Sequence, residues 1–178
     1  MLFPGFSYFC VQNISILMKT KILMIFLICS FPVLCLWAEH SKYSFYYSQK
    51  LNEGISQLSV MTICQDTRGY LWLGTRNGLN RYNGSEYTVF RHHPGDSLSL
   101  ADNEVNEICE DHSKNLWIGT SRGLSRMCLR TEHIRNYYNI DGLSSASILS
   151  LLVDSSGRVW VGTRNGLCCY IPKQDNFK

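Results

Sequence analysis

The chain has 178 residues, of which 45% are hydrophobic and 17% charged, with a formal net charge of +3. That is the composition of a modest globular domain and excludes a disordered tail. Two of the lysines, Lys19 and Lys21, lie in an N-terminal leader. The remainder carries 15 basic against 14 acidic side chains with no Lys/Arg stripe, which excludes a nucleic-acid-binding surface.

The first predicted element is that leader. Lys19 and Lys21 precede the run from Ile22 to Trp37, sixteen residues with Ser30 as the one polar position, and Ala38 stands before Glu39. Basic residues, an apolar run and a small residue in that order read as a secretory signal peptide over residues 1–38. The run is too short for a spanning helix and Pro32 interrupts it. Met18 begins a leader of ordinary length, so it is the expected true start. Leu34 stands before Cys35 where lipidation needs a small residue. Residues 39–178 then form the mature region.

Next comes Tyr43 to Tyr47, a β-like run read as an orphan fourth strand without a blade before it. Phe45 stands fifteen residues before Val60, as Phe90 does before Val105. From there a repeat dominates. Asp66, Trp72, Gly74, Thr75, Gly78 and Leu79 recur as Asp111, Trp117, Gly119, Thr120, Gly123 and Leu124, and again as Asp154, Trp160, Gly162, Thr163, Gly166 and Leu167. The Trp-to-Trp spacing of 45 and then 43 residues fits propeller blades and not helical repeats of 33 or 34.

Within each copy a β-like run leads to Asp-x-x-Gly, read as a turn in which the Asp side chain bonds its own backbone. Lys114 replaces the Gly in the middle copy, so that turn is expected to need no positive φ. The following strand, Leu71-Trp72-Leu73, is apolar on both faces, as a sheet sandwiched between two others must be. Gly74 is expected to allow close approach. Asn77-Gly78 and Asn165-Gly166 are expected to form type I′ hairpins. Asn83-Gly84 makes a second turn before a fourth strand. The fold class is therefore all-β: a partial β-propeller with two complete four-stranded blades, a third incomplete, and the orphan strand. The repeats are placed at about 54–97, 98–141 and 142–178. A closed ring needs about four blades or more, so the chain is expected to be the N-terminal fragment of a larger propeller.

The five cysteines after the leader, Cys64, Cys109, Cys128, Cys168 and Cys169, are an odd number and a poor disulfide framework. Cys64 and Cys109 hold the same repeat position and read as small apolar residues. Cys168 and Cys169 should point to opposite faces of a strand and share no metal. The repeated aspartates read as turn residues, not as metal or acid/base groups, and His92-His93 as a solvated loop pair. No catalytic, cofactor-binding or metal-binding set is expected. Arg76, Arg122 and Arg164, after each Gly-Thr, are the ligand-binding candidates, since a row of guanidinium groups could meet an acidic sugar through bidentate bonds; surface hairpin charge is the alternative. The loops Pro94 to Asn103 and Asn139 to Ser147 join blades and offer further contact.

The string from Ile63 to Tyr82, Ile-x-x-Asp-x-x-Gly-x-Leu-Trp-Leu-Gly-Thr-x-x-Gly-Leu-x-x-Tyr, resembles the two-component regulator propeller repeat, found in the extracytoplasmic region of bacterial hybrid histidine kinases. The triplets Gly54-Ile55-Ser56, Ser97-Leu98-Ser99 and Gly142-Leu143-Ser144 resemble the family's Gly-Leu-Ser opening, with a two-residue deletion before Asp154 in the third copy. Lys114 for Gly and Met127 for an aromatic residue depart from the pattern. The resemblance implies a periplasmic sensor, a carbohydrate ligand, no cofactor, and a homodimeric parent anchored in the inner membrane that also carries the remaining blades and the kinase. It implies no catalysis in this chain. Alternatives are a secreted interaction propeller without a kinase, and a quinoprotein-type dehydrogenase, whose repeats also carry the pattern of Asp66-Gly69-Trp72.

Overall fold

The computed structural model describes residues 53–178. The leader, Met18 and the orphan strand at Tyr43 to Tyr47 lie outside the described residues. Three four-stranded antiparallel sheets follow one another, each a meander of adjacent strands. The first comprises β1 (Val60–Gln65), β2 (Leu71–Thr75), β3 (Gly78–Tyr82) and β4 (Tyr87–Phe90). The second comprises β5 (Val105–Glu110), β6 (Asn115–Thr120), β7 (Gly123–Cys128) and β8 (Ile134–Tyr137). The third comprises β9 (Ile148–Val153), β10 (Val159–Thr163), β11 (Gly166–Ile171) and β12 (Asn176–Phe177). The repeat expected to be incomplete thus also forms four strands, its last only two residues long.

The blades pack face to face, and the core lies between them. Trp72 and Leu79 of the first blade meet Val105, Leu116, Ile118 and Met127 of the second in one apolar cluster. Trp117, Leu124 and Tyr137 of the second meet Ile148, Val159, Val161 and Phe177 of the third in another. The middle blade is covered on both faces, so Leu116, Trp117 and Ile118 are all fully buried in succession. This is why the sequence shows continuous apolar runs there instead of alternation.

Glycine sets the distance between blades. A Cβ on Gly74 would lie 2.7 Å from Val105 Cγ1, and one on Gly119 would lie 2.6 Å from Ile148 Cγ2. Val105 and Ile148 each begin the next blade's first strand, and the pairing register shifts immediately after each of them. A local irregularity of this kind re-aims a side chain, and here both residues are seated on the preceding blade's glycine.

Two turns differ from expectation. Lys114 has φ +65°, matching Gly69 at +91° and Gly157 at +78°. The middle turn therefore keeps the conformation of the other two and holds a side chain in the left-handed region. The bonds around it explain how: Lys114 N donates to Asp111 O at 3.1 Å, and Lys114 O accepts from Leu129 N at 3.1 Å. The hairpin between β2 and β3 is not an Asn-Gly type I′ turn. Its two central residues are Arg76 and Asn77, the positive φ of +119° falls on Gly78, and Gly78 already pairs with Thr75. The Thr75 hydroxyl decides this: Oγ1 accepts from Asn77 N at 3.1 Å and donates to Gly78 O at 2.9 Å.

The opening of the second repeat also lies two residues later than Ser97-Leu98-Ser99. Ser56 N donates to Asn80 Oδ1 at 2.8 Å, and the equivalent bond in the second blade runs from Ala101 N to Ser125 Oγ at 2.9 Å. The matching triplet is Ser99-Leu100-Ala101, with Leu100 fully buried like its counterpart Leu143. With that register the third copy has no deletion.

Candidate functional site

The repeated aspartates do more than form turns. Asp66 Oδ1 accepts from the backbone N–H of Arg68 at 2.9 Å and of Tyr70 at 3.0 Å, while Oδ2 accepts from Trp72 Nε1 at 3.0 Å. Asp111 Oδ2 takes Trp117 Nε1 at 2.8 Å, and Asp154 Oδ2 takes Trp160 Nε1 at 3.0 Å. Each carboxylate fixes a tight turn with one oxygen and a Trp indole with the other, and the indoles of Trp72 and Trp117 lie between blades. Burial pushes the Asp66 carboxyl up, but the bonds from Trp72 and Arg68 outweigh it and hold the group below its ordinary range. The Trp160 indole and the Arg158 backbone N–H hold Asp154 lower still. A carboxylate engaged in this way has no lone pair aimed at a reacting atom. The one sequence signal of the bond was the constant six-residue interval from Asp to Trp.

A second repeated device was missed because its partners are distant in sequence. Arg81 pairs across the sheet with Trp72, and Arg126 pairs with Trp117. The Arg81 guanidinium lies 5.6 Å from the rings of both Trp72 and Phe90. Arg126 lies 5.6 Å from each of Trp117, Tyr137 and Tyr170. Each arginine then meets an acid from the outer hairpin of the following blade. Arg81 pairs with Glu132, and Arg126 Nη1 lies 3.2 Å from Asp175. Glu132 and Asp175 have φ of +58° and +51°. Asp175 Oδ1 also accepts from the hydroxyls of Tyr137 and Tyr170, each at 2.6 Å. Burial raises the Asp175 carboxyl, the two tyrosine hydroxyls and the guanidinium groups lower it further, and the group ends below its ordinary range. Cys169 holds the corresponding place opposite Trp160 in the third blade. These pairs latch one blade to the next.

Arg76, Arg122 and Arg164 fall in the equivalent hairpin of each blade and are exposed. Arg76 Nε lies 3.5 Å from Glu104, and Arg122 Nε lies 3.9 Å from Asp102. The loops between blades are partly internal, since Leu100 and Leu143 enter the core. His92 is tied into its loop, its Nδ1 lying 2.7 Å from Leu100 O. Among the described residues no cluster of three His, Cys, Asp or Glu side chains could hold a metal. All five described cysteines are free; Cys168 is buried and Cys169 half-buried on the other face. Cys64 and Cys109 pack against the two cores, and burial pushes the Cys109 thiol up to about 12.

The two component regulator propeller family matches residues 54–77, 99–122 and 142–165, in the register set by Ser56, Ala101 and Ser144. This chain carries three copies of that family's repeat. Over 72 residues it is 40% identical to Histidine kinase P4 of Formosa agariphila, a match covering 40% of this chain and 5% of that protein. The extracellular domain of the hybrid two component system BT3049 from B. thetaiotaomicron has the same fold, with a TM-score of 0.67 at 26% identity. That likeness covers 74% of this chain and 19% of the other. This chain therefore matches only a small part of the length of either relative.

Proposed function

We propose that the chain is an extracytoplasmic ligand-sensing part of a hybrid two-component receptor, that it performs no catalysis itself, and that its ligand is a carbohydrate. The observation that carries the reading is the set of three family repeats in one register, in a fold shared with the extracellular domain of a hybrid two component system. The mechanism fits that architecture. Blades held together by side-chain latches form a rigid body, and a ligand that favours one arrangement of such bodies shifts the receptor's population between states. The anchored parent supplies the kinase and the other blades, and Arg76, Arg122 and Arg164 remain the contact candidates on the hairpin rim.

The test is to read the gene beyond the Lys178 codon and screen the product of the full reading frame against oligosaccharides by thermal shift. Further Trp-x-Gly-Thr repeats, a membrane helix and a kinase, with a sugar that raises the melting temperature, support the reading. A frame followed by unrelated genes, or a product stabilised by no sugar, removes it.

A further inference from the structure

The three blades share one plan, so the place where one departs from it is informative. In the first blade Arg68 and Tyr70 cover the outer part of the face that carries Trp72. The Arg68 guanidinium lies 5.1 Å from the Tyr70 ring centre and its Nη1 donates to Leu129 O at 2.6 Å. Arg81 lies over the same ring at 5.3 Å. The second blade has Ser113 and Asn115 at those two positions. There a cleft of about 470 Å³ opens beside Asn115, lined by Arg126, Cys128, Arg130, Thr131, His133 and Arg135. Strand register explains the grouping: Asn115 stands opposite Cys128 and Arg126 opposite Arg135.

The charge of this cleft is one-sided. Arg126 and Arg135 share the single carboxylate of Asp175, at 3.2 and 2.8 Å. Glu132, in the same hairpin, is engaged by Arg81 of the first blade. Arg130 is exposed and forms no ion pair among the described residues. Three guanidinium groups thus line the cleft, and two of them share one carboxylate.

We propose that this cleft binds an organic oxyanion, a carboxylate or sulfate carried on a body of about monosaccharide size. The oxyanion sits between Arg130 and Arg135, whose planar forks suit carboxylate and sulfate oxygens. The volume exceeds that of a bare ion and falls in the range of small-molecule sites, about 300–1,000 Å³. The surroundings already favour negative charge at this spot: hydrogen bonds from the Thr131 hydroxyl and from the Thr131 and Arg130 backbone, with a smaller contribution from the Arg130 charge, hold the Cys128 thiol below its ordinary range. The proposal does not rest on the sensing role.

Cys128 supplies the assay. The full chain is treated with iodoacetamide, whose iodide the thiolate displaces, and the rate at Cys128 is followed by peptide mass spectrometry. Sodium glucuronate, sodium sulfate or glucose is titrated in at ionic strength held constant with chloride. Glucuronate slows the reaction saturably and glucose does not. Arg130→Gln raises the half-saturating concentration about three- to fivefold, the loss of one exposed ionic contact, while alkylation of Cys64 and Cys109 stays unchanged and reports an intact fold. A lower half-saturating concentration for glucuronate than for sulfate supports recognition of the organic body; the reverse order overturns that part and leaves a site for the inorganic ion. Absence of saturation, equal protection by chloride, or an unchanged titration in Arg130→Gln overturns the proposal.

Discussion

Replacing Asp66 by Asn separates two accounts of the repeated aspartate. If the residue served the turn alone, Asn would replace it at almost no cost, because both side chains bond backbone N–H groups in turns. In the structure Asp66 Oδ2 accepts from Trp72 Nε1 at 3.0 Å and from Arg68 Nη2 at 2.9 Å. An amide placed there presents a second donor to both, and flipping it moves the conflict to the backbone N–H groups of Arg68 and Tyr70. Trp72 is fully buried, so its indole N–H is left unpaired at about 1–3 kcal/mol. The half-exposed Arg68 contact adds roughly 0.2–1 kcal/mol. The expected loss is about 2–3 kcal/mol, or ~5–10 °C in melting temperature for a chain of this size. Urea unfolding followed by tryptophan fluorescence at pH 7 reads it as a lower midpoint at unchanged slope. In a Trp72→Phe background, which lacks the indole donor, the same substitution should cost about 1–2 kcal/mol less. A loss under about 0.5 kcal/mol, or an equal loss in the two backgrounds, refutes the clamp.

The pH dependence has a definite sign. The folded Asp66 carboxyl lies below its ordinary value of 3.8, so its stabilisation is complete above that value and is lost as pH falls through the folded one; Asp66→Asn removes that part of the acid-induced loss. Asp175→Asn keeps a residue that tolerates the left-handed backbone and should cost about 0.5–1 kcal/mol at pH 7, since the site is partly exposed; a flatter acid limb in denaturation checks it. Gly119→Ala drives a methyl group against Ile148 and should cost about 1–3 kcal/mol, partly restored by Ile148→Ala; full additivity of the two would show that they do not meet. Lys114→Gly relieves backbone strain of roughly 1–2 kcal/mol against a glycine entropy cost of about 0.5–1 kcal/mol. It should therefore raise the urea midpoint slightly, whereas Lys114→Val should lower it.

The blade plan was legible because its determinants are local and repeated. A strand, a turn and a return strand close within about twenty residues, so Asp66, Trp72, Thr75 and Gly78 recur at fixed intervals in Asp111, Trp117, Thr120 and Gly123. Turn chemistry was less legible. The position of Gly78 invited an Asn-Gly turn, yet the Thr75 hydroxyl shifts the turn one residue back. Lys114 shows the same limit in reverse, because flanking hydrogen bonds impose a conformation that the residue's own preference disfavours.

The sequence by itself determined the all-β architecture, the blade period and the residues that fill the interblade space, since apolar patterning and turn residues act over short stretches of chain. Tertiary structure alone decided which residues latch the blades together. Arg81 meets Glu132 across 51 residues and Arg126 meets Asp175 across 49. It also decided where the basic cleft opens, beside Asn115 at the position that Tyr70 holds in the first blade. Those contacts arise from the stacking of one sheet on another, and a periodic sequence carries no direct mark of which side chains on neighbouring sheets will touch.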